Sequence, residues 1–151
     1  MAYSPLRHSG RDTALINLSH LESLNRLELI VYSHWQEDYL TGILGVLETG
    51  GPNHELRTIH IALHHSSYRS WVDHLSHEAT GTFWRRLAAT IDRFSSVTDL
   101  VIKLVMWKDE ENDLEEEQIA QLERSVRNGL VGGAGNFESI NRVLRVEISE
   151  L

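Results

Sequence analysis

The feature that most constrains the fold is an apolar stretch near the middle of the chain, residues 94–107. A period of two places alternate side chains on opposite faces of a β-strand. One face of this stretch is entirely apolar and the other is half apolar, which favours a central strand of a largely parallel sheet. The two alternating sets are Leu100, Ile102 and Leu104, and Val101, Lys103 and Val105.

Three other stretches repeat this alternation and predict further strands at about 27–32, 56–64 and 144–149. Apolar residues at helical spacing predict helices at about 38–48, 68–77, 83–93 and 113–128. Right-handed crossovers then make the four strands parallel and place them as neighbours in chain order. The core positions that should align across the sheet are Leu27, Ile59, Leu100 and Leu144.

Cap residues set the predicted helix ends. Asp113 followed by Glu116 is typical of a capping box at a helix start. Thr82 can cap the helix that precedes the central strand, and Gly129 predicts the stop of the last helix.

Length and composition indicate one domain and exclude several functions. A chain of 151 residues with net charge −8 lacks the clustered positive charge of nucleic-acid or anionic-membrane surfaces. It has no cysteine, which excludes disulfides and thiolate chemistry and fits an intracellular, cytoplasmic or nuclear, location. No apolar run is long enough to predict a membrane span. We expect residues 1–12 to form a flexible N-terminal arm and residues 13–151 a single α/β domain.

Spaced leucines carry a family resemblance. The motifs are Leu21-x-x-Leu24-x-x-Leu27-x-Leu29, Leu56-x-x-Ile59-x-Ile61-x-Leu63, and Trp84-x-x-Leu87 followed by Phe94-x-x-Val97-x-x-Leu100-x-Ile102-x-Leu104. With them the chain resembles the leucine-rich-repeat-like C-terminal region of basidiomycete fungal F-box proteins. The resemblance implies a short leucine-rich-repeat-like arc of about four parallel strands with helices mainly on one face. It also implies the substrate-recognition part of a ubiquitin ligase adaptor, although the 151 residues contain no F-box.

A further interpretation is that the sequence is a fragment. The last predicted strand runs almost to Leu151 without the polar cap that terminal repeats carry. The first and last strands are predicted sheet edges, and unprotected edges favour pairing with another chain. Self-association through these edges is therefore a second expectation.

Six of the nine histidines lie between His54 and His77. His74 and His77 have helical i, i+3 spacing and could bind zinc with Asp73 or Glu78. Surface histidines are the favoured interpretation, because the strand and helix histidines need not converge. The cluster could also titrate between about pH 5 and 8 and make a pH-sensitive surface.

Three other motifs give no chemistry. The glycines from Gly129 to Gly135 follow a predicted helix and precede a strand, the reverse of a phosphate-binding loop. The acidic run 109–117 has Leu114 and Ala120 where a calcium loop needs Gly and Glu. There is no Gly-x-Ser-x-Gly elbow for a nucleophile. We therefore predict no catalytic residue, no metal and no cofactor.

The sheet face opposite the predicted core is the candidate site. It mixes polar and apolar side chains, as protein interfaces do. We therefore predict a non-enzymatic protein-recognition module with an unknown protein partner. The alternative is a small α/β ligand-binding protein or enzyme that uses the rim near His34, Trp35, His65 and Trp107. The candidate residues of the sheet face are Glu28, Ile30, Tyr32, His60, His64, Val101, Lys103, Val105, Arg145 and Glu147.

Overall fold

The computed structural model describes residues 2–8, 18, 23–31, 37–50, 55–107, 114–133, 140 and 142–150. Its elements alternate between strand and helix after the first two strands, with two helices between the third and fourth. In chain order they are β1 (Ala2–His8), β2 (Leu24–Val31), α1 (Glu37–Glu48), β3 (Thr58–His65), α2 (Tyr68–Leu75), α3 (Glu78–Asp92), β4 (Asp99–Met106), α4 (Glu116–Gly133) and β5 (Leu144–Glu150).

The strands form one parallel sheet in the order β1-β2-β3-β4-β5. The prediction of an α/β fold with four neighbouring parallel strands is confirmed for β2 to β5. The predicted alignment is also confirmed, because Leu27 pairs with Ile59, Ile59 with Leu100, and Leu100 with Leu144. Alternation and crossover handedness were sufficient to set this register.

β1 differs from the sequence expectation. Residues 1–12 are expected to form a flexible arm, whereas Ala2–His8 pair in parallel with β2 and add a fifth strand at its edge. Residue 1 and residues 9–12 lie outside the described part of the chain. Pro5 is compatible with this strand because an edge strand needs only one side of its main chain for pairing. The short polar stretch carries no apolar alternation that would have predicted a strand.

One core cluster joins the helices to a single face of the sheet. The strand residues at its centre have 0% of their surface exposed, among them Leu27, Ile59, Leu100, Ile102 and Leu104. Helix α3 packs between α1 and α4, and α2 contacts both α3 and α4. The packing of the helices mainly on one face is therefore confirmed. The opposite face of the sheet, called the open face, carries none of these four helices, although Ala62, Val101 and Val105 on it are also buried.

Two helix starts differ from prediction. Helix α3 begins at Glu78 after His77, which makes no side-chain capping bond, and Thr82 lies within the helix with its hydroxyl donating to the Glu78 carbonyl at 3.2 Å. Helix α4 begins at Glu116, and the Glu115 amide donates to Gln118 Oε1 at 2.9 Å. That bond is one half of a capping box, made by a glutamine two residues after the predicted Glu116. Asp113 lies outside the described residues.

The predicted stop at Gly129 is wrong, because α4 continues through it to Gly133. A Cβ at position 129 would lie 2.6 Å from Trp84 Cδ1 of α3. Glycine is therefore required for the close approach of two helices rather than for a helix end. Residues 134–136, the rest of the predicted glycine-rich loop, lie outside the described part.

Candidate functional site

The strand register brings the predicted face residues together in three rows across the sheet. Each row takes one side chain from neighbouring strands, since facing residues of parallel strands share a face. Tyr32, the predicted β2 member of the third row, lies outside the described residues. The rows are Glu28, His60, Val101 and Arg145; Ile30, Ala62, Lys103 and Glu147; and His64, Val105 and Ser149.

Burial on this face is graded from the centre to the edges. Ala62, Val101 and Val105 are 6%, 2% and 3% exposed, yet they lie apart from the main core cluster. The polar members around them are partly buried, and Arg145 of β5 is exposed. The face therefore has an apolar centre on β3 and β4 surrounded by polar side chains. Because this centre is already buried within the chain, the partly buried and exposed polar side chains around it are the part of the face that a partner can contact.

A fourth row extends the face upstream and was missed by the sequence reasoning. It contains Arg26, Thr58 and Asp99, which pair across β2, β3 and β4. The same alternation that predicted the other rows could have found it, by counting back one step on each strand. Asp99 lies 3.6 Å from Arg145, measured from Oδ2 to Nη2.

Opposite charges alternate along the β5 side of the face. Arg145 Nε lies 3.5 Å from Glu147 Oε1, and the same guanidinium contacts Asp99. The Arg145 side chain is 62% exposed, so each pair adds little to stability. Exposed charges of this kind act more on the orientation and specificity of association than on folding.

His60 lies in the middle of the face. Burial lowers the pKa of its imidazole, although the charges of Glu28 and Glu147 act in the opposite direction. Its Nε2 atom is buried and has no hydrogen-bond partner within the described part of the chain. His64 is similar, because burial and then the charge of Lys103 lower its pKa. Both pKa shifts favour the neutral imidazole, which offers one donor and one acceptor.

A second histidine cluster lies at the end of β3 on the helix side. The rings of His65 and Trp71 are 5.4 Å apart, and the His74 ring is 5.9 Å from His65 and 6.2 Å from Trp71. Trp71 is fully buried, and its Nε1 donates to the Val105 carbonyl at 3.2 Å. Burial, followed by the charges of His65 and His77, lowers the pKa of His74 to about 4. These rings are therefore packing elements between α2 and the sheet.

The zinc alternative for His74 and His77 finds no support in this geometry. No group of three or more His, Cys, Asp or Glu side chains that could hold a metal occurs among the described residues. His77 is exposed at the start of α3, whereas His74 packs against Trp71. Residues 109–113 of the acidic run lie outside the described part.

The rim at the C-terminal ends of the strands is only partly described. His34 and Trp35 lie outside the described residues, His65 is partly buried, and Trp107 is 63% exposed directly after β4. Two cavities of about 120 and 190 Å³ lie elsewhere, one lined by Ile91, Phe94 and Ile140 and one between α2 and α4. Both are smaller than the roughly 300–1,000 Å³ of typical ligand pockets.

The fold and the face define a parallel α/β protein whose sheet has one helix-covered side and one open side with an apolar centre. Comparisons with protein-family models, curated proteins and solved structures gave no match. Within the described residues, no helix is both long enough and apolar enough to cross a membrane.

Proposed function

We propose that this chain is a non-enzymatic protein-recognition module that binds its partner on the open face of the sheet. The observation that carries the proposal is the mixed set of accessible polar side chains that surrounds Ala62, Val101 and Val105 on the sheet face away from the main core. A partner segment laid across β3 and β4 would contact these polar side chains. The surrounding polar groups would then set its orientation.

The charges around the centre are mixed rather than of one sign. Arg26, Lys103 and Arg145 share the face with Glu28, Asp99 and Glu147. A partner with alternating charges fits such a face better than a polyanion, which agrees with the overall net charge of −8. Neutral His60 can add one hydrogen bond at the centre of the contact.

The finer proposal is that the module reads a substrate for an F-box-type ubiquitin ligase assembly inside the cell. The spaced-leucine motifs and the absence of cysteine support it. Self-association through the sheet edges is a separate part of the proposal. Ligand binding at the rim is the second candidate, favoured by the exposed indole of Trp107 directly after β4.

The test is quantitative affinity capture from cell extract with the unaltered chain and with Lys103→Glu. This substitution reverses a charge beside the apolar centre without removing a core side chain. Arg124→Glu, on the exposed side of α4, is the matched control. We expect a defined partner to be retained by the unaltered chain and the control and to be lost with Lys103→Glu, while the circular dichroism of all three stays the same.

Equal capture by Lys103→Glu and the unaltered chain would contradict the proposal. Equal loss with Lys103→Glu and Arg124→Glu would also contradict it, because binding would then depend on net charge. The proposed role in a ubiquitin ligase assembly needs one more result. Ubiquitination of the captured partner must fall when this chain is removed.

A further inference from the structure

The strand β5 leaves part of its helix-facing side uncovered. Val146 and Ile148 pair with Ile102 and Leu104 of β4, and all four face the helix layer. The two β4 residues are 0% exposed, whereas the two β5 residues are only partly buried. Helix α4 contacts β5 but leaves these two side chains partly exposed.

Within the described part of the chain, the outer main-chain edge of β5 also has no strand partner. β5 is the last strand in the sheet order, and within the described residues only β4 pairs with it. A strand edge presents unpaired N–H and C=O groups that template pairing with another chain. An uncovered apolar strip and an open hydrogen-bonding edge therefore coincide on the same seven residues, Leu144–Glu150.

We propose that a second copy of this chain occupies the edge, with the two β5 strands antiparallel about a two-fold axis through Val146. In this register Val146 faces its own copy and Leu144 faces Ile148 of the partner copy. Arg145 faces Glu147 of the partner copy, and the reverse pair forms on the other side of the axis. Facing residues in antiparallel strands lie about 4.5–5.5 Å apart at Cβ, within reach of an ion pair.

The sequence of β5 selects this register over its neighbours. Centring the axis on Glu147 would place that carboxylate against itself, and centring it on Arg145 would do the same to the guanidinium. An axis that passes between two residues would pair helix-facing residues of one copy with open-face residues of the other. A two-fold axis perpendicular to the sheet does not allow that pairing. The Val146 register alone combines two opposite-charge pairs with three apolar pairs.

The same symmetry would bury the side chains of β5 that are only partly buried in one copy. A two-fold axis perpendicular to the sheet keeps the helices of both copies on one side. Leu144, Val146 and Ile148 of the two copies then form one apolar strip between the two α4 helices. On the opposite side, Arg145 and Glu147 of both copies form a quartet of alternating charges. Both side chains are well exposed, at 62% and 41%, and can turn toward the partner copy.

This association rests on the self-association already proposed, for which it names the strand and the register, and it can be tested separately from partner recognition. The recognition test alters Lys103 near the centre of the sheet, whereas the dimer test alters Arg145 and Glu147 on β5. Sedimentation velocity of the whole chain over a range of concentrations is the primary measurement. We expect a reversible monomer–dimer equilibrium.

Two charge reversals sharpen the test. Arg145→Glu places carboxylates opposite each other in both pairs, and Glu147→Arg places guanidinium groups opposite each other. We expect either substitution alone to weaken self-association by on the order of tenfold or more. An equimolar mixture of the two variants should dimerise again, because each carboxylate then faces a guanidinium of the other chain. The same reversals at exposed positions of α4, Arg124→Glu and Glu117→Arg, should leave the equilibrium unchanged.

The mixing experiment does not depend on whether a single variant is slightly less stable, because association returns only if both chains are folded. A chain that stays monomeric at every soluble concentration would overturn the proposal. So would a dimer that both reversals leave intact, or one that the mixture fails to restore while each variant keeps its circular dichroism. Loss of dimerisation with Lys103→Glu alone would assign the contact to the open face instead.

Discussion

The two faces of β4 differ although the strand alternates regularly. On the helix side Leu100, Ile102 and Leu104 are all 0% exposed. On the open side Val101 and Val105 are buried but Lys103 between them is only partly buried. The helix-covered face of β4 is apolar at all three positions, whereas the open face has an apolar centre whose surroundings are polar. The first face holds the fold together, and the second presents polar side chains that a partner can contact.

The largest expected difference between the faces is in stability. Ile102→Ala removes a fully buried side chain and leaves a cavity in the core cluster, so we expect a loss of about 3 kcal/mol of unfolding free energy. Lys103→Ala, on the next residue but the other face, should change stability by no more than about 0.5 kcal/mol. Urea denaturation of both variants measures the difference. Similar losses for the two would mean that the open face is also part of the core.

Two helix glycines extend the comparison to the packed and solvent sides of the helix layer. Gly129→Ala places a Cβ against buried Trp84, so we expect a loss of about 1–2 kcal/mol from overpacking. Gly45→Ala in α1 meets nothing within 4 Å and should gain about 0.5–1 kcal/mol, because alanine is the better helix former. Thermal or urea unfolding under identical conditions measures the change in unfolding free energy for both variants, including its sign. A gain at both positions would show that Trp84 can move away from α4.

The sheet register could be predicted from the sequence because each strand carries its own alternation. Leu27, Ile59, Leu100 and Leu144 were aligned from pattern alone and pair as expected. The role of Gly129 could not be predicted, since its cause is a tryptophan 45 positions earlier (129 − 84) on another helix. Local glycine rules describe helix ends, whereas close helix contact is a property of the tertiary structure.

The sequence predicts which residues share the candidate face, but not how buried they are or how their pKa values shift. Which side chains share the face follows from the period of two. The burial of His60 and the lowered pKa values of His60 and His64 depend on neighbouring strands and could not be read from spacing. The edge strand β1 could not be predicted from the sequence, because Ala2–His8 lacks the apolar alternation that indicated the other strands.

A further expected effect concerns pH, and it tests whether His74 belongs to the packed side. Its pKa falls from 6.5 to about 4 in the folded chain, mainly because burial penalises the charged ring. Between these two values the unfolded chain binds a proton that the folded chain does not, so unfolding becomes easier as the pH falls. The free energy of unfolding therefore has its full value above pH 6.5, where the ring is neutral in both states, and it decreases as the pH falls toward 4. Because the ring is partly exposed, we expect a loss on the order of 1 kcal/mol.

Urea denaturation at a series of pH values across this window measures the slope, and substitution assigns it. His74→Gln should flatten the dependence, since the replacement cannot titrate, whereas His77→Gln at the exposed start of α3 should retain most of it. An unchanged slope in His74→Gln would place the responsible groups elsewhere, and His60 and His64 on the open face would be the next to substitute because burial lowers their pKa values too. A flat curve in the unaltered chain would mean that the ring of His74 reaches water when charged. The contact between α2 and the sheet would then be looser than the 5.9 Å separation of the His65 and His74 rings indicates.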